Sequence, residues 1–128
     1  SGYCSYMDLD TRTAELFEHF STQEFDGLTD LFAPGAQVRQ NGNPEHGIDG
    51  LLTMIQGLKR DGVTVEYSDI RRSMGERFVV EQHLVRLTRP DGVSASTDVC
   101  VMLHFDEQGL ITGLHEYVDT AALSPLLS

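Results

Sequence analysis

The sequence predicts an α+β domain in which three N-terminal helices cover a cone-shaped, curved antiparallel or mixed β-sheet and enclose a pocket. Three observations predict it. Apolar residues recur at helical spacing through the first half of the chain. From residue 63 onward the period changes to two. The period-two segments are separated only by short turns, so consecutive strands are expected to pair antiparallel. Helices first and strands later is the pattern of helices laid on one face of a sheet.

The elements follow in order. Leu9, Thr13, Leu16, Phe17 and Phe20 share one helical face, with Asp10 or Thr11 as the cap. Ser21 and Glu24 have the spacing of a capping box. Phe25, Leu28, Leu31 and Phe32 then read as the buried face of a second helix, stopped by Pro34-Gly35. Residues 36–41 form a short strand, and Asn41-Gly42-Asn43-Pro44 is turn chemistry. Ile48, Leu51, Leu52, Ile55 and Leu58 define a third helix that ends near Asp61-Gly62. Residues 63–72, 78–89, 94–106 and 110–119 read as four strands. Their turns are Met74-Gly75-Glu76, Arg89-Pro90-Asp91-Gly92 and Glu107-Gln108-Gly109. Long antiparallel strands coil, which leaves a concavity beneath the helices. The other sheet face needs cover, and a homodimer would supply it.

At 128 residues with no visible linker or repeat, a single domain over 1–128 is expected, with residues 1–8 as a disordered or expression-derived start. A net charge of −11 repels phosphate backbones and anionic membrane surfaces, so nucleic acid and membrane are not expected partners. Two cysteines, Cys4 in that start and Cys100 in a strand, make no disulfide framework and fit a reducing, cytoplasmic setting. The five histidines show no metal-ligand spacing, and neither a phosphate loop nor a nucleophile elbow is present. No metal or cofactor is expected.

Four motifs carry a resemblance over nearly the whole chain. They are Leu31-Phe32-Ala33-Pro34-Gly35-Ala36, Gly47-Ile48-Asp49-Gly50-Leu51, Phe105-Asp106-Glu107-Gln108-Gly109-Leu110-Ile111 and Glu116-Tyr117-Val118-Asp119-Thr120-Ala121-Ala122-Leu123. With this order of elements the chain resembles the nuclear transport factor 2-like superfamily, and its SnoaL-like branch in particular. The resemblance implies a cone-shaped fold around a pocket. It leaves the chemistry open, because that superfamily includes isomerases, epoxide hydrolases, polyketide cyclases, dehydratases and non-catalytic proteins. Where ketosteroid isomerases carry a tyrosine and two aspartates, this chain has Leu16, Gln40 and Val101. None of these can move a proton as that mechanism requires. Against limonene-epoxide hydrolases, His83 stands at the arginine, Val85 at one aspartate and Glu116 at the other. Val38 stands at the tyrosine and Gln40 at the asparagine. The polar set is kept only in part.

Strand alternation places the candidate site independently of that resemblance. Thr112, Leu114, Glu116 and Val118 share one face, and so do Val99, Val101, Leu103 and Phe105. A short turn would set Val101 opposite Leu114 and Val99 opposite Glu116. Glu116 is then a carboxylate on an apolar stripe. Glu81, His83, Val85 and Leu87 share a face of their strand, which would bring His83 into the same volume. An imidazole partnered by a carboxylate is the arrangement of a general base, and Gln40 could orient a water or a carbonyl. A structural histidine satisfied inside a sheet is the competing account. Tyr67 is either a hydrogen-bond donor into the pocket or an aromatic packed on the sheet. His46 is expected in a solvated loop, His19 at the surface, and His104 and His115 on the outer sheet face.

Three functions fit these residues. The first is a cofactor-free acid–base enzyme that hydrolyses, isomerises or cyclises a small apolar substrate. It would use His83 and Glu116 for catalysis, with Gln40, Val38, Val85, Val99, Val101, Leu114, Leu16 and Tyr67 around the substrate. The second is a non-catalytic module that carries a lipophilic ligand. The third is a structural dimer with a filled interior.

Overall fold

A computed structural model of the protein describes residues 6–127. Helix α1 (Tyr6–Thr22) is followed by a single 3-10 turn (Leu28–Leu31), β1 (Phe32–Gln40), the short β2 (His46–Gly47) and α2 (Ile48–Arg60). Four long strands come next: β3 (Thr64–Gly75), β4 (Phe78–Thr88), β5 (Ser94–Phe105) and β6 (Ile111–Val118). A C-terminal 3-10 segment (Thr120–Leu127) closes the described chain. The strands form one curved, unclosed sheet in the order β2-β1-β6-β5-β4-β3. Strands β3 to β6 are a meander of antiparallel pairs, as their short turns require, whereas β1 runs parallel to β6. The sheet is therefore mixed.

The face expected for α1 is buried in full: Leu9, Thr13, Leu16, Phe17 and Phe20 all lie in the core. The helix starts earlier than Asp10 or Thr11, at Tyr6, so residues 6–8 of the expected disordered start are helical. Residues 1–5, Cys4 among them, lie outside the described residues.

The second helix is reduced to one 3-10 turn. Helix α1 runs on to Thr22, so Ser21 is not a cap: its hydroxyl donates to the Glu18 carbonyl within α1. Gln23 (φ 58°) and Gly27 (φ 82°) both take left-handed backbone, which breaks helical continuity on either side of Phe25. Leu28, Leu31 and Phe32 are buried as expected, but Phe32 already belongs to β1. Pro34-Gly35 accordingly stops no helix. The β1–β6 register jumps between Phe32 and Gln37, and the intervening residues bulge out of the ladder. Proline has no amide hydrogen to lose there, and Gly35 supplies the positive φ of 77°.

Helix α2 packs against β1 and β2, α1 lies across β3 and β4, and the C-terminal segment sits on β5. No helix among the described residues is long and apolar enough to cross a membrane.

Candidate functional site

Between the helices and the concave sheet face lies a cavity of about 190 Å³. An apolar cavity of about 150 Å³ is enough to take up benzene, so this space suits a compact ligand. Its floor is Val85, Val99, Val101 and Leu114, its helical walls are Phe17, Phe20, Leu51, Ile55 and Leu58, and the exposed lining residues Met54 and Thr120 mark its open side. Four polar side chains from the strands break the apolar lining: Gln40, Tyr67, His83 and Glu116. Among the described residues neither lysine nor arginine lines it.

His83, only 3% exposed, occupies β4 and faces the cavity. Its ring meets Phe17 edge-on with centroids 5.0 Å apart, and lies 4.6 Å from the Tyr67 ring. Its Nδ1 hydrogen bonds to Oε2 of Glu81 at 2.5 Å. Glu81, two residues earlier on the same strand face, is fully buried. A carboxylate at such a place needs partners, and Glu81 has one on each oxygen: Nε of Arg72 donates to Oε1 at 2.5 Å. Arg72 also donates through its other guanidinium arm to Oδ1 of Asp10 at 3.0 Å. Partial burial works against the Arg72 charge, but its bonds to Glu81 and Asp10 outweigh this and hold its pKa above the ordinary arginine value. A neutral imidazole that donates Nδ1–H to a carboxylate has its lone pair on Nε2. Among the described residues, Nε2 has no hydrogen-bond partner.

Glu116 approaches from β6. Its Oε1 accepts a 2.9 Å bond from Nε2 of Gln40. His83 and Glu116 both line the cavity, but the structure does not bring them into contact. The ladder rows are His83–Val99–Val118 and Glu81–Val101–Glu116, so β5 separates them. Two strand spacings put them on the order of 10 Å apart. The expected pairing of Val101 with Leu114 and Val99 with Glu116 is off by two positions: Val101 pairs Glu116 and Leu103 pairs Leu114. The five residues between β5 and β6 form a wider loop than a tight turn, held by Asp106, and a bulge at His104/Phe105 adds a further step. A shift of two preserves which face each residue occupies.

Tyr67 faces inward. Burial, then the nearby charges of Glu116 and Glu81, push its pKa well above the ordinary tyrosine value. The phenol is therefore a neutral donor at any working pH, and its hydroxyl has no hydrogen-bond partner among the described residues.

Of the remaining expected lining residues, Val85, Val99, Val101 and Leu114 are in the wall. Leu16 is not. On α1 the neighbouring Phe17 and Phe20 carry the cavity-facing stripe, and Leu16, one step around the helix, is fully buried in the core. Val38 also misses the main cavity. It lines a side pocket of about 80 Å³ under α2 that shares Gln40 and Glu116 with it. His46 is exposed, and the His104 and His115 rings meet edge to face on the outer face with centroids 5.5 Å apart. His19 is half-buried at the surface, its Nδ1 hydrogen bonded with the Glu24 carbonyl. Among the described residues no group of three or more His, Cys, Asp or Glu side chains is arranged to hold a metal ion.

The sequence reading assigns no site role to three residues of the His83 network: Glu81, Arg72 and Asp10. Strand alternation puts Glu81 on the His83 face, and that signal was available. Arg72 was hidden by a bulge in β3 that reverses the alternation.

A family model described as a SnoaL-like domain matches residues 13–114. No curated protein matches the sequence. Among solved structures, an M. tuberculosis LEH-like epoxide hydrolase superposes with a TM-score of 0.78 at 17% identity, over 95% of this chain and 91% of that one. A protein of Xanthomonas campestris pv. campestris described as a candidate polyketide cyclase gives 0.77 at 14% identity, over 91% and 93%. IdmH of Streptomyces antibioticus, described likewise, gives 0.74 at 19% identity, over 94% and 99%. At these identities the likeness is one of fold.

Proposed function

The chain belongs to the SnoaL-like domain family and has its nuclear transport factor 2-like fold, and from that premise we propose that it is a cofactor-free acid–base enzyme acting on a small, uncharged, largely apolar molecule. One observation carries the proposal: a buried imidazole whose Nδ1 is held by a buried carboxylate and whose Nε2 is left unbonded at the wall of an apolar cavity.

In this reading His83 takes a proton at Nε2, either from water or from a C–H next to a carbonyl, while Nδ1–H stays on Glu81. The Glu81 charge balances the imidazolium that forms. The electron pair released from the C–H bond moves onto the carbonyl oxygen, where the Tyr67 hydroxyl donates a hydrogen bond. Glu116, steered by Gln40, works from the other side of the Val99–Val101 floor as the second member of the acid–base pair. The gap between His83 and Glu116 is room for a substrate, which direct contact between them would deny. An apolar lining without a cationic side chain, in a chain of net charge −11, favours an uncharged substrate. The descriptions of two structural neighbours, an LEH-like epoxide hydrolase and a candidate polyketide cyclase, support this range of chemistry.

We also assign the outer sheet face to a second copy of the chain, since Phe78, His104 and Tyr117 stand there with Tyr117 45% exposed; sedimentation reads the dimer directly. The activity is tested by offering the protein small epoxides and small unsaturated or hydroxy ketones and following conversion by mass spectrometry. The expected result is turnover of one class, reduced at least about a hundredfold in His83→Ala and Glu116→Gln with melting behaviour retained. Full activity in either variant overturns the assignment. Tight binding of a panel member with no product formed favours the ligand-carrier account instead.

A further inference from the structure

We infer that Arg72 is a positioning residue for His83, acting through Glu81 as the middle of a chain Asp10–Arg72–Glu81–His83 that a bulge in β3 assembles. The inference rests on the reading of His83 as a proton acceptor but concerns residues that do not line the cavity.

The geometry divides Glu81 between two partners. Arg72 Nε takes Oε1 and His83 Nδ1 takes Oε2, both at 2.5 Å. With one oxygen committed to the guanidinium, the carboxylate plane is set and only Oε2 can meet the imidazole. Arg72 is itself fixed from the other side, where Oδ1 of Asp10 on α1 accepts a bond from its Nη1 at 3.0 Å. One planar guanidinium thus bridges two carboxylates on separate elements. An ammonium group cannot copy that fork.

The bulge makes this possible. Tyr67 pairs with Val85 and Ser68 with Leu84, but Arg71 then pairs with Gln82 and Arg72 with Glu81, so β3 carries one extra residue. Asp69 within it takes a φ of 53°. Strict alternation from Tyr67 would turn Arg71 inward and Arg72 out. The extra residue reverses this, and both Tyr67 and Arg72 reach the inner face although they stand an odd number of positions apart. A buried ion pair is weak as a stabilising device, since apolar residues of like volume often serve as well. Retaining a fully buried glutamate with an arginine from a bulged strand is accounted for by what the pair does to the next residue, the imidazole.

The test is the nitrogen NMR signature of His83 in protein with 15N-labelled histidine, recorded without substrate. The native protein is expected to give one tautomer, protonated at Nδ1. Arg72→Met is expected to give a mixture of tautomers, and Arg72→Lys to restore the single form only in part. If Arg72→Met does not fold, Arg72→Lys and Asp10→Asn carry the comparison, because Asp10 is half exposed and its loss leaves the Arg72–Glu81 pair in place. A mixed signature in either folded variant supports the inference. A single unchanged tautomer in every folded variant overturns it. Once a substrate is known, the same variants should lower kcat about tenfold or more at an unchanged KM, as loss of a supporting partner does elsewhere. Because the NMR readout needs no turnover, a native protein inert on every substrate offered, with His83 in one tautomer that the Arg72 variants turn into a mixture, sinks the enzymatic reading and leaves the positioning of His83 by Arg72 standing.

Discussion

Gln40 and Glu116 are partners in the parallel β1–β6 ladder, and the Gln40 side-chain amide donates to the Glu116 carboxylate at 2.9 Å. Backbone register alone therefore sets a side-chain contact between residues 76 apart in sequence. The pair stands where the main cavity meets the side pocket beneath α2. In the proposed mechanism Gln40, bonded to Oε1, leaves the other Glu116 oxygen to act on a bound molecule.

Gln40→Leu should keep the fold and lose the steering. A single hydrogen bond to a half-buried carboxylate is worth about 1–2 kcal/mol, so a thermal melt should fall by about 3–6 °C. Activity should fall about tenfold. A variant with native melting and native activity would show the contact to be incidental.

Tyr67 should resist ionisation. Its pKa in the folded protein is raised, first by burial and then by Glu116 and Glu81. The unfolded chain releases this proton near pH 10 while the folded chain still holds it. The stabilising contribution is thus complete below about pH 10 and declines as pH rises further. Ultraviolet titration should find one of the four tyrosines silent until the protein unfolds. Tyr67→Phe should remove that silent group and flatten the alkaline decline in stability. A native protein whose tyrosines all titrate together while folded contradicts this placement.

His104 should act in the opposite direction. Desolvation, then the neighbouring His115, lowers its pKa in the folded protein. As pH falls below about 6.5, the ordinary histidine value, the unfolded chain binds the proton first, so stability present above that pH is lost on acidification. Denaturant midpoints measured between pH 8 and 5 should fall less steeply in His104→Gln than in the native protein. Equal slopes would remove His104 from the account.

Val99→Phe should separate binding from folding. Val99 lies between His83 and Val118 on the cavity floor. A larger side chain in a packed core costs about 1–3 kcal/mol, but here it can grow into open space. Melting should stay within a few degrees of native while ligand uptake is lost. Retained uptake would mean that the ligand sits elsewhere.

How much could be read from the sequence follows the range of each interaction. The α1 face and the strands β3 to β6 were legible because both are local patterns, helical spacing in one case and alternation bounded by turn residues in the others. The second helix was misread because Phe25, Leu28, Leu31 and Phe32 have helical spacing and are indeed covered, yet Gln23 and Gly27 take left-handed backbone that the spacing does not reveal. His83 and Glu116 both line the cavity, and strand parity alone is enough to give that facing. Their partners were not legible. The pairing of strands sets Gln40 on Glu116, and the bulge at Asp69 sets Arg72 on Glu81. Single insertions of this kind leave the hydrophobic pattern almost unchanged.

The most direct test of the central claim is a crystal structure of the protein soaked with a small neutral ketone. The account predicts ligand density over Val99 and Val101, with the carbonyl oxygen within hydrogen-bond reach of the Tyr67 hydroxyl and His83 Nε2 turned toward the neighbouring carbon. A cavity collapsed onto its floor, or His83 Nε2 bonded to a protein group and withheld from the ligand, would contradict it.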